Sequence, residues 1–264
     1  MILRVSPVVL ALAALLCGSG MAHAQTAAQP SGTAPAPART PPNCEAPERY
    51  LTPKIPLRNA AQALRTDKQL RVLVFSSVRS PAIPESVEAK RYPASLTQAL
   101  VARYPGRTVS VTTRTEPQAP IAESLKALKA TLADKSFDLV VWQLGSTDVL
   151  RGTDMAVFGA KLASGIGAIH ARKADAVLMT MQYSPRTDFM FDAGPYMQYL
   201  RWVAKTESSA LFNRYDVMRY WVEDGSFDLS ELQPGASIFE DVHRCVGQLL
   251  ARFIANGIAA PESQ

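Results

Sequence analysis

Short apolar runs alternate with helix-length segments five times along the chain, and this order constrains the fold more than any other feature. The third run, FDLVVWQL, is apolar almost throughout, as in strands covered on both faces. The segments between the runs repeat large apolar residues every three or four positions, as amphipathic helices do. The predicted strands are 70–76, 108–113, 137–144, 176–182 and 210–213; the predicted helices are 94–104, 119–133, 153–172, 195–206 and 237–256.

This alternation predicts an α/β fold, a three-layer α/β/α sandwich around a five-stranded parallel sheet. Right-handed crossovers leave few topologies, and five strands favour the flavodoxin-like order. A site in such a fold lies beyond the carboxyl ends of the strands. The segments expected at that edge are 76–80, 114–118, 145–151 and 183–188, together with 233–241 before the last helix.

The N-terminus has the pattern of a secretory signal peptide, residues 1–24. Arg4 precedes an apolar run too short to span a bilayer, and the small residues Ala22 and Ala24 fit cleavage after Ala24. A membrane anchor is disfavoured by glycines within the run, and a lipid on Cys17 by the leucine before it.

The segment that follows the predicted cleavage site, residues 25–43, is rich in Ala and Pro and almost free of large apolar side chains. It cannot bury enough surface to offset the entropy of ordering, which predicts a disordered linker. Residues 44–260 then form one domain. We therefore expect a periplasmic or secreted protein with no membrane span after signal cleavage.

Two cysteines, Cys44 and Cys245, remain after the predicted cleavage. An even number in an oxidising compartment favours a disulfide between them, and two buried free thiols are the alternative. The net charge of +5 comes from interspersed residues without a basic run, which argues against a nucleic-acid partner. No Cys/His cluster has metal-ligand spacing and no Gly-rich phosphate loop is present, so no metal and no cofactor is predicted.

Four stretches of the domain resemble the SGNH/GDSL hydrolase superfamily, in particular an exported subgroup with a Gly-Ser-Ser-Ser-Thr turn. The stretches are LVVWQLGSTDVLR at 139–151, LMTMQYSP at 178–185, MRYWVE at 218–223, and Arg244-Cys245. The resemblance covers roughly residues 44–258 and implies the flavodoxin-like fold and serine-esterase chemistry.

The resemblance places Ser77, on the turn after the first strand, at the position of the family's nucleophile. The glycine that precedes the nucleophile by two residues in the family is Phe75 here. The family's second motif supplies a glycine N–H to the oxyanion, but the matching loop 114–118 has no glycine, and Pro117 has no N–H at all. The catalytic motifs are therefore degenerate.

The family's third motif ends in an asparagine whose amide also donates to the oxyanion. Here the stretch is Gly145-Ser146-Thr147-Asp148, and Thr147 carries a shorter hydroxyl in the asparagine's place. The motif implies that Gly145, Ser146 and Thr147 line the oxyanion or substrate site. Loss of one such donor costs about a hundred- to a thousand-fold in rate.

The family's last motif, Asp-x-x-His, falls on residues 234–237, which contain neither acid nor base. Glu240-Asp-Val-His243 follows and offers the only imidazole base near this edge, because His170 is expected at the opposite edge. However, Ser237-x-x-Glu240 predicts a capping box with Ser237 as the N-cap. His243 then lies inside the last helix, where a structural role is the alternative to a catalytic one.

Three hypotheses follow for this domain. The first is a catalytically impaired pseudoenzyme that acts in binding at the cell envelope. The second is an active serine esterase or carbohydrate deacetylase, with Ser77 as nucleophile, His243 as base and Asp241 or Glu240 orienting it. The third is an envelope protein with a structural role and no ligand site.

Four arginines, Arg79, Arg114, Arg151 and Arg186, follow the first four strands and are expected at one edge. Guanidinium groups bind carboxylates and phosphates through paired donors, so these residues are candidates for binding an anionic envelope polysaccharide or a protein partner. The alternative is local pairing with acids of the same loops, which are Glu116, Asp148 and Asp188.

Overall fold

A five-stranded parallel sheet forms the centre of the domain. The computed structural model describes residues 42–77, 85–230, 232 and 236–261. The predicted signal peptide, most of the predicted linker and Arg79 lie outside these residues. The strands are β1 Gln69–Ser76, β2 Thr108–Thr115, β3 Leu139–Gln143, β4 Asp175–Met179 and β5 Ala210–Phe212.

The strand order is β2-β1-β3-β4-β5, and every neighbouring pair is parallel. This is the flavodoxin-like order predicted from the sequence. The register aligns Ser76, at the end of β1, with Thr115 of β2 and Gln143 of β3. The carboxyl ends of these three strands therefore share one edge of the sheet.

Helices cover both faces of the sheet, which confirms the three-layer sandwich. The longer helices are α1 Arg58–Thr66, α3 Tyr92–Arg103, α4 Ile121–Asp134, α6 Met155–His170, α8 Gly194–Thr206, α9 Arg214–Glu223 and α10 Ser237–Ala259. The short helices are α2 Glu85–Glu88, α5 Ser146–Arg151 and α7 Pro185–Met190.

Burial explains why the central strands could be predicted from the sequence. Every residue of β3 and β4 is buried, as expected for strands covered on both faces, whereas the edge strand β2 has none in that class. One core cluster joins the sheet to α1, α3, α9 and α10, and a second joins it to α4, α6 and α8. Each layer of helices thus has its own apolar contact with the sheet.

The packing of α10 against α3 is unusually close at Gly247. A Cβ atom at this position would lie only 2.6 Å from the backbone carbonyl oxygen of Tyr92, so a larger residue would push the two helices apart. This contact fixes the start of α3 beside the third turn of α10. It brings Tyr92 close to His243.

The disulfide between Cys44 and Cys245 is present in the structure and joins residues 201 positions apart. It links the first residues of the domain to the buried face of α10. Such bonds persist in oxidising compartments, which fits an extracytoplasmic protein. Across the described residues, no helix has the length and apolarity needed to cross a membrane.

Two details differ from the sequence prediction. Helices α1, α2, α5, α7 and α9 were not predicted; α2, α5 and α7 have only four to six residues, and the buried face of α1 consists mainly of alanines. The capping box is wrong by one residue: α10 begins at Ser237, so the N-cap is Ala236, which is extended and makes no side-chain cap bond. Glu240 instead pairs with Lys90 at 2.6 Å.

Candidate functional site

Ser77 lies directly after β1, at the carboxyl edge of the sheet, and is only 5% exposed. Its carbonyl oxygen accepts a hydrogen bond from the Thr147 hydroxyl at 3.3 Å. The neighbouring Ser76 hydroxyl lies 3.3 Å from that of Thr115. The structure therefore brings Ser77 and Thr147 together, but the Thr147 hydroxyl is directed to the backbone of Ser77.

The stretch from Gly145 to Asp148 forms the turn from β3 into α5. Gly145 has φ +99°, a conformation that a residue with a Cβ rarely adopts, and α5 begins at Ser146. The Asp148 carboxylate is 1% exposed and accepts bonds from the Ile121 N–H at 3.0 Å and the Thr153 hydroxyl at 2.9 Å. Burial raises the pKa of Asp148. This acid anchors the start of α4 and does not face a base.

The loop after β2 lacks the glycine of the family's second motif, and one of its N–H groups is bonded to the backbone. The Glu116 N–H donates to the Ser76 carbonyl at 2.9 Å, and Pro117 has no N–H. Arg114 is exposed and pairs with Glu116 at 2.6 Å. The ion pair with an acid of the same loop, which was the alternative to anion binding for Arg114, is therefore present in the structure.

The remaining arginines of the predicted cluster have different surroundings. Arg151 is exposed and donates to the Gln118 carbonyl at 3.1 Å. Arg186 is exposed on α7, and Arg79 lies outside the described residues. A shared anion-binding surface of these arginines stays a prediction.

His243 is enclosed within the domain. It is 2% exposed and lies against the rings of Phe239, 4.2 Å between centroids, and Tyr92, 6.1 Å. Its Nδ1 accepts a hydrogen bond from the backbone N–H of Tyr92 at 3.2 Å. Burial, with the charges of Arg214 and Arg91, lowers the pKa of His243 well below 6.5. The imidazole is therefore neutral at pH 7, with its proton on Nε2.

A buried polar cluster that the sequence reasoning missed lies beside His243. The guanidinium of Arg214 is 1% exposed, and its Nη2 donates to Gln182 Oε1 at 3.0 Å. Its Cζ atom lies 5.8 Å from the centroid of the Tyr92 ring, and the Tyr92 hydroxyl donates to Gln143 Oε1 at 3.0 Å. The Arg214 Nε is buried without a hydrogen-bond partner.

Arg214 is a cation without a carboxylate partner in the described part of the chain. Burial lowers its pKa to about 10, so it stays protonated at pH 7. Its place in the sequence was a usable signal: Arg214 comes two residues after β5 ends, and the loop after the fifth strand was left out of the predicted edge.

No metal centre is apparent in the described ranges, since they contain no group of three or more His, Cys, Asp or Glu residues placed to hold an ion. Of the positions matching the family's Asp-x-x-His motif, Ala236 is the N-cap of α10 and Ser237 its first residue. Residues 234 and 235 lie outside the described part.

Comparison with solved structures shows the same fold in esterases and lipases. TesA matches with a TM-score of 0.51 and 22% identity, over 70% of this chain and 94% of its own. A lipase/acylhydrolase from Enterococcus faecalis matches with a TM-score of 0.56 and 17% identity, over 74% and 100%. A mutant of Axe2, an acetyl-xylooligosaccharide esterase from Geobacillus Stearmophilus, matches with a TM-score of 0.54 and 18% identity, over 74% and 97%.

Sequence comparison identifies the family. No curated protein sequence matches the chain. The family model of the Non-GDSL lipase-like family matches residues 43–260, nearly the whole described domain. The chain belongs to the Non-GDSL lipase-like family, within the SGNH/GDSL hydrolase superfamily.

Proposed function

We propose that this is an exported SGNH/GDSL-type domain that has lost ester hydrolysis and acts in binding at the cell envelope. The proposal rests on the hydrogen bonding and the burial of His243. Its Nδ1 lone pair is bonded to the Tyr92 N–H, and its ring is 2% exposed. The only imidazole on this side of the domain is thus used in holding α3 against α10.

A general base must accept the proton of its nucleophile in the transition state. With Nδ1 occupied, His243 presents an Nε2–H donor, which has no lone pair to offer Ser77. Protonation is further opposed by burial and by the charges of Arg214 and Arg91. Positioned acid–base catalysis contributes about a hundred- to ten-thousand-fold in rate, and this contribution is absent here.

The oxyanion donors support the same proposal. The Thr147 hydroxyl bonds to the Ser77 carbonyl, and the Glu116 N–H bonds to the Ser76 carbonyl. Neither donor is free to meet a developing negative charge. Loss of one such donor lowers the rate by about a hundred- to a thousand-fold, so an engaged Thr147 hydroxyl together with a missing base favours a rate close to background.

Hydrolysis of p-nitrophenyl acetate by the purified domain tests this proposal. We expect wild type, Ser77→Ala and His243→Gln to give the same near-background rate. Ser164→Ala, an exposed serine on α6, serves as the matched control. A drop of about tenfold or more in Ser77→Ala, with Ser164→Ala unchanged, contradicts the proposal.

An active serine esterase or carbohydrate deacetylase is the second candidate, favoured by the place of Ser77 at the carboxyl end of β1. The acids that would orient His243 are otherwise engaged: Glu240 with Lys90 at 2.6 Å, and Asp241 with Arg244 at 3.5 Å. The same assay on acetylated xylooligosaccharides distinguishes the two candidates, because the esterase requires Ser77.

Export is part of the proposal and has its own test. The disulfide between Cys44 and Cys245 supports an oxidising compartment. Protein recovered from the cells that produce it is expected to begin at Gln25 and to contain no alkylatable thiol. An intact mass that retains residues 1–24, or a lipid on Cys17, contradicts cleavage after Ala24.

A further inference from the structure

A surface groove beside β5 lies outside the region that the proposed function uses. Its cavity volume is about 600 Å³, within the range of small-ligand sites. Its walls come from α8 and from the segment that precedes α1, and its floor comes from β5 and Phe253. None of its lining residues belongs to the Ser77 and His243 region, so an inference about the groove holds whether or not the domain hydrolyses esters.

The charged residues that line the groove are all basic. Its lining contains four basic residues, Arg49, Lys54, Arg201 and Lys205, and no carboxylate. Arg201 is paired with Asp216 at 3.1 Å. Lys54 and Lys205 are exposed and form no ion pair with any described residue. Two ammonium groups are therefore available to an anionic ligand.

An exposed aromatic ring stands at the same groove. Trp202 is 56% exposed and lies against Tyr199 at 5.4 Å, with 30° between the rings. The negative face of an indole attracts the partly positive C–H groups of a pyranose ring. Ala210 and Phe253, which also line the groove, are each 1% exposed and offer a ligand little surface.

A buried hydroxyl completes the groove. Ser209 lines it and is 4% exposed, and its Oγ has no hydrogen-bond partner. Such an atom costs free energy unless a ligand or water satisfies it. The accessible groups of the groove that suit an acidic sugar are its cations and the exposed indole.

We propose that this groove binds an acidic oligosaccharide, with uronate carboxylates on Lys54 and Lys205 and a sugar ring against Trp202. The chemistry that selects the ligand is a carboxylate on a pyranose, since a neutral sugar lacks the charge and a fatty acid lacks the ring.

Calorimetry with trigalacturonic acid tests this proposal, and because the probe contains no ester, hydrolysis contributes no heat. We expect binding at low ionic strength that weakens as salt screens the charges. Trp202→Ala and the double variant Lys54→Gln/Lys205→Gln should each weaken it by about tenfold or more. The double variant Lys126→Gln/Lys161→Gln, which changes exposed lysines outside the groove, should bind like wild type.

Each of the following outcomes overturns the proposal. They are no heat with trigalacturonic acid at low salt, equal binding of neutral cellotriose, and binding of laurate in place of the sugar. Unchanged affinity in Trp202→Ala or in Lys54→Gln/Lys205→Gln also overturns it. Because these side chains are exposed, thermal unfolding like that of wild type confirms that the variants are folded.

Discussion

Asp138 and Asp175 at the amino ends of the sheet differ from Arg214 at its carboxyl ends in how their charges are hydrogen-bonded. At the amino ends, the Asp138 carboxylate accepts three hydrogen bonds from Arg71: from its N–H at 2.7 Å, its Nε at 3.1 Å and its Nη2 at 2.6 Å. Asp175 accepts from Asn59 Nδ2 at 3.0 Å and from the Ala60 N–H at 2.9 Å. At the carboxyl ends, Arg214 makes one hydrogen bond and has no carboxylate partner in the described part of the chain.

This difference separates stability from function within one sheet. At the amino ends, hydrogen bonds to Asp138 join β1 to the residue before β3, and hydrogen bonds to Asp175 join β4 to α1. A buried cation with spare donors costs free energy, and such costs concentrate where a protein meets its ligands. This cost fits the proposal that the carboxyl edge binds a ligand, even though His243 and Thr147 have structural partners.

Asp138→Ala should produce the largest loss of stability. The change removes three hydrogen bonds and leaves Arg71 without its partner. We expect the free energy of unfolding to fall by about 2–3 kcal/mol, less than for a fully buried pair because the Arg71 side chain is 37% exposed. Denaturant unfolding measures this, with the exposed Asp134→Ala as control. A loss below about 0.5 kcal/mol would mean that the amino end is not held by this pair.

The pH dependence of stability should report His243. Because its pKa is lowered in the folded protein, the unfolded chain takes up a proton below 6.5 that the folded chain does not. Stability is therefore independent of this group above about pH 6.5 and falls as the pH drops below it, by at most about 1.4 kcal/mol per pH unit.

His243→Gln should remove this contribution, because Gln can accept the Tyr92 N–H bond without titrating. Unfolding free energies between about pH 7.5 and about pH 5 should then decrease less in the variant than in wild type. His170→Gln, at the exposed end of α6, is the matched control. Identical pH dependence in wild type and His243→Gln would argue against a buried neutral imidazole.

Arg214→Met should have the smallest effect. Replacing a buried charge that lacks a counter-ion with an apolar side chain of similar length is often neutral or stabilising. Loss of the bond to Gln182 offsets part of the gain, so we expect a change within about 1 kcal/mol of wild type. If Arg214→Met lowers the free energy of unfolding as much as Asp138→Ala does, the contrast between the two ends of the sheet is wrong.

The sequence predicts the sheet well because its strands carry local signals. The apolar residues of β3 and β4 are buried on both faces, and a run of this kind has few other interpretations. The helix α1 was missed because its buried face consists mainly of alanines, which give a weak apolar period. The disulfide was predicted by counting cysteines, without any knowledge of the geometry.

The site was harder to predict because its contacts join distant residues. The partner of His243 lies 151 positions away, at the start of α3. Helical periodicity placed His243 beside the apolar stripe, but only the fold shows that its Nδ1 is occupied. Arg214 was missed because an arginine is expected on the surface, and its burial depends on tertiary packing.

The protonation state of His243 tests the central claim most directly. Nitrogen-15 NMR of the two imidazoles of the mature domain, with His170→Gln to assign the signals, reports both the tautomer and the titration. We predict a neutral imidazole with the proton on Nε2 and a pKa below 6.5, since burial and the nearby arginines oppose the charged form. A pKa at or above 6.5, or a proton on Nδ1, would show that the ring is free to act as a base and would contradict the account.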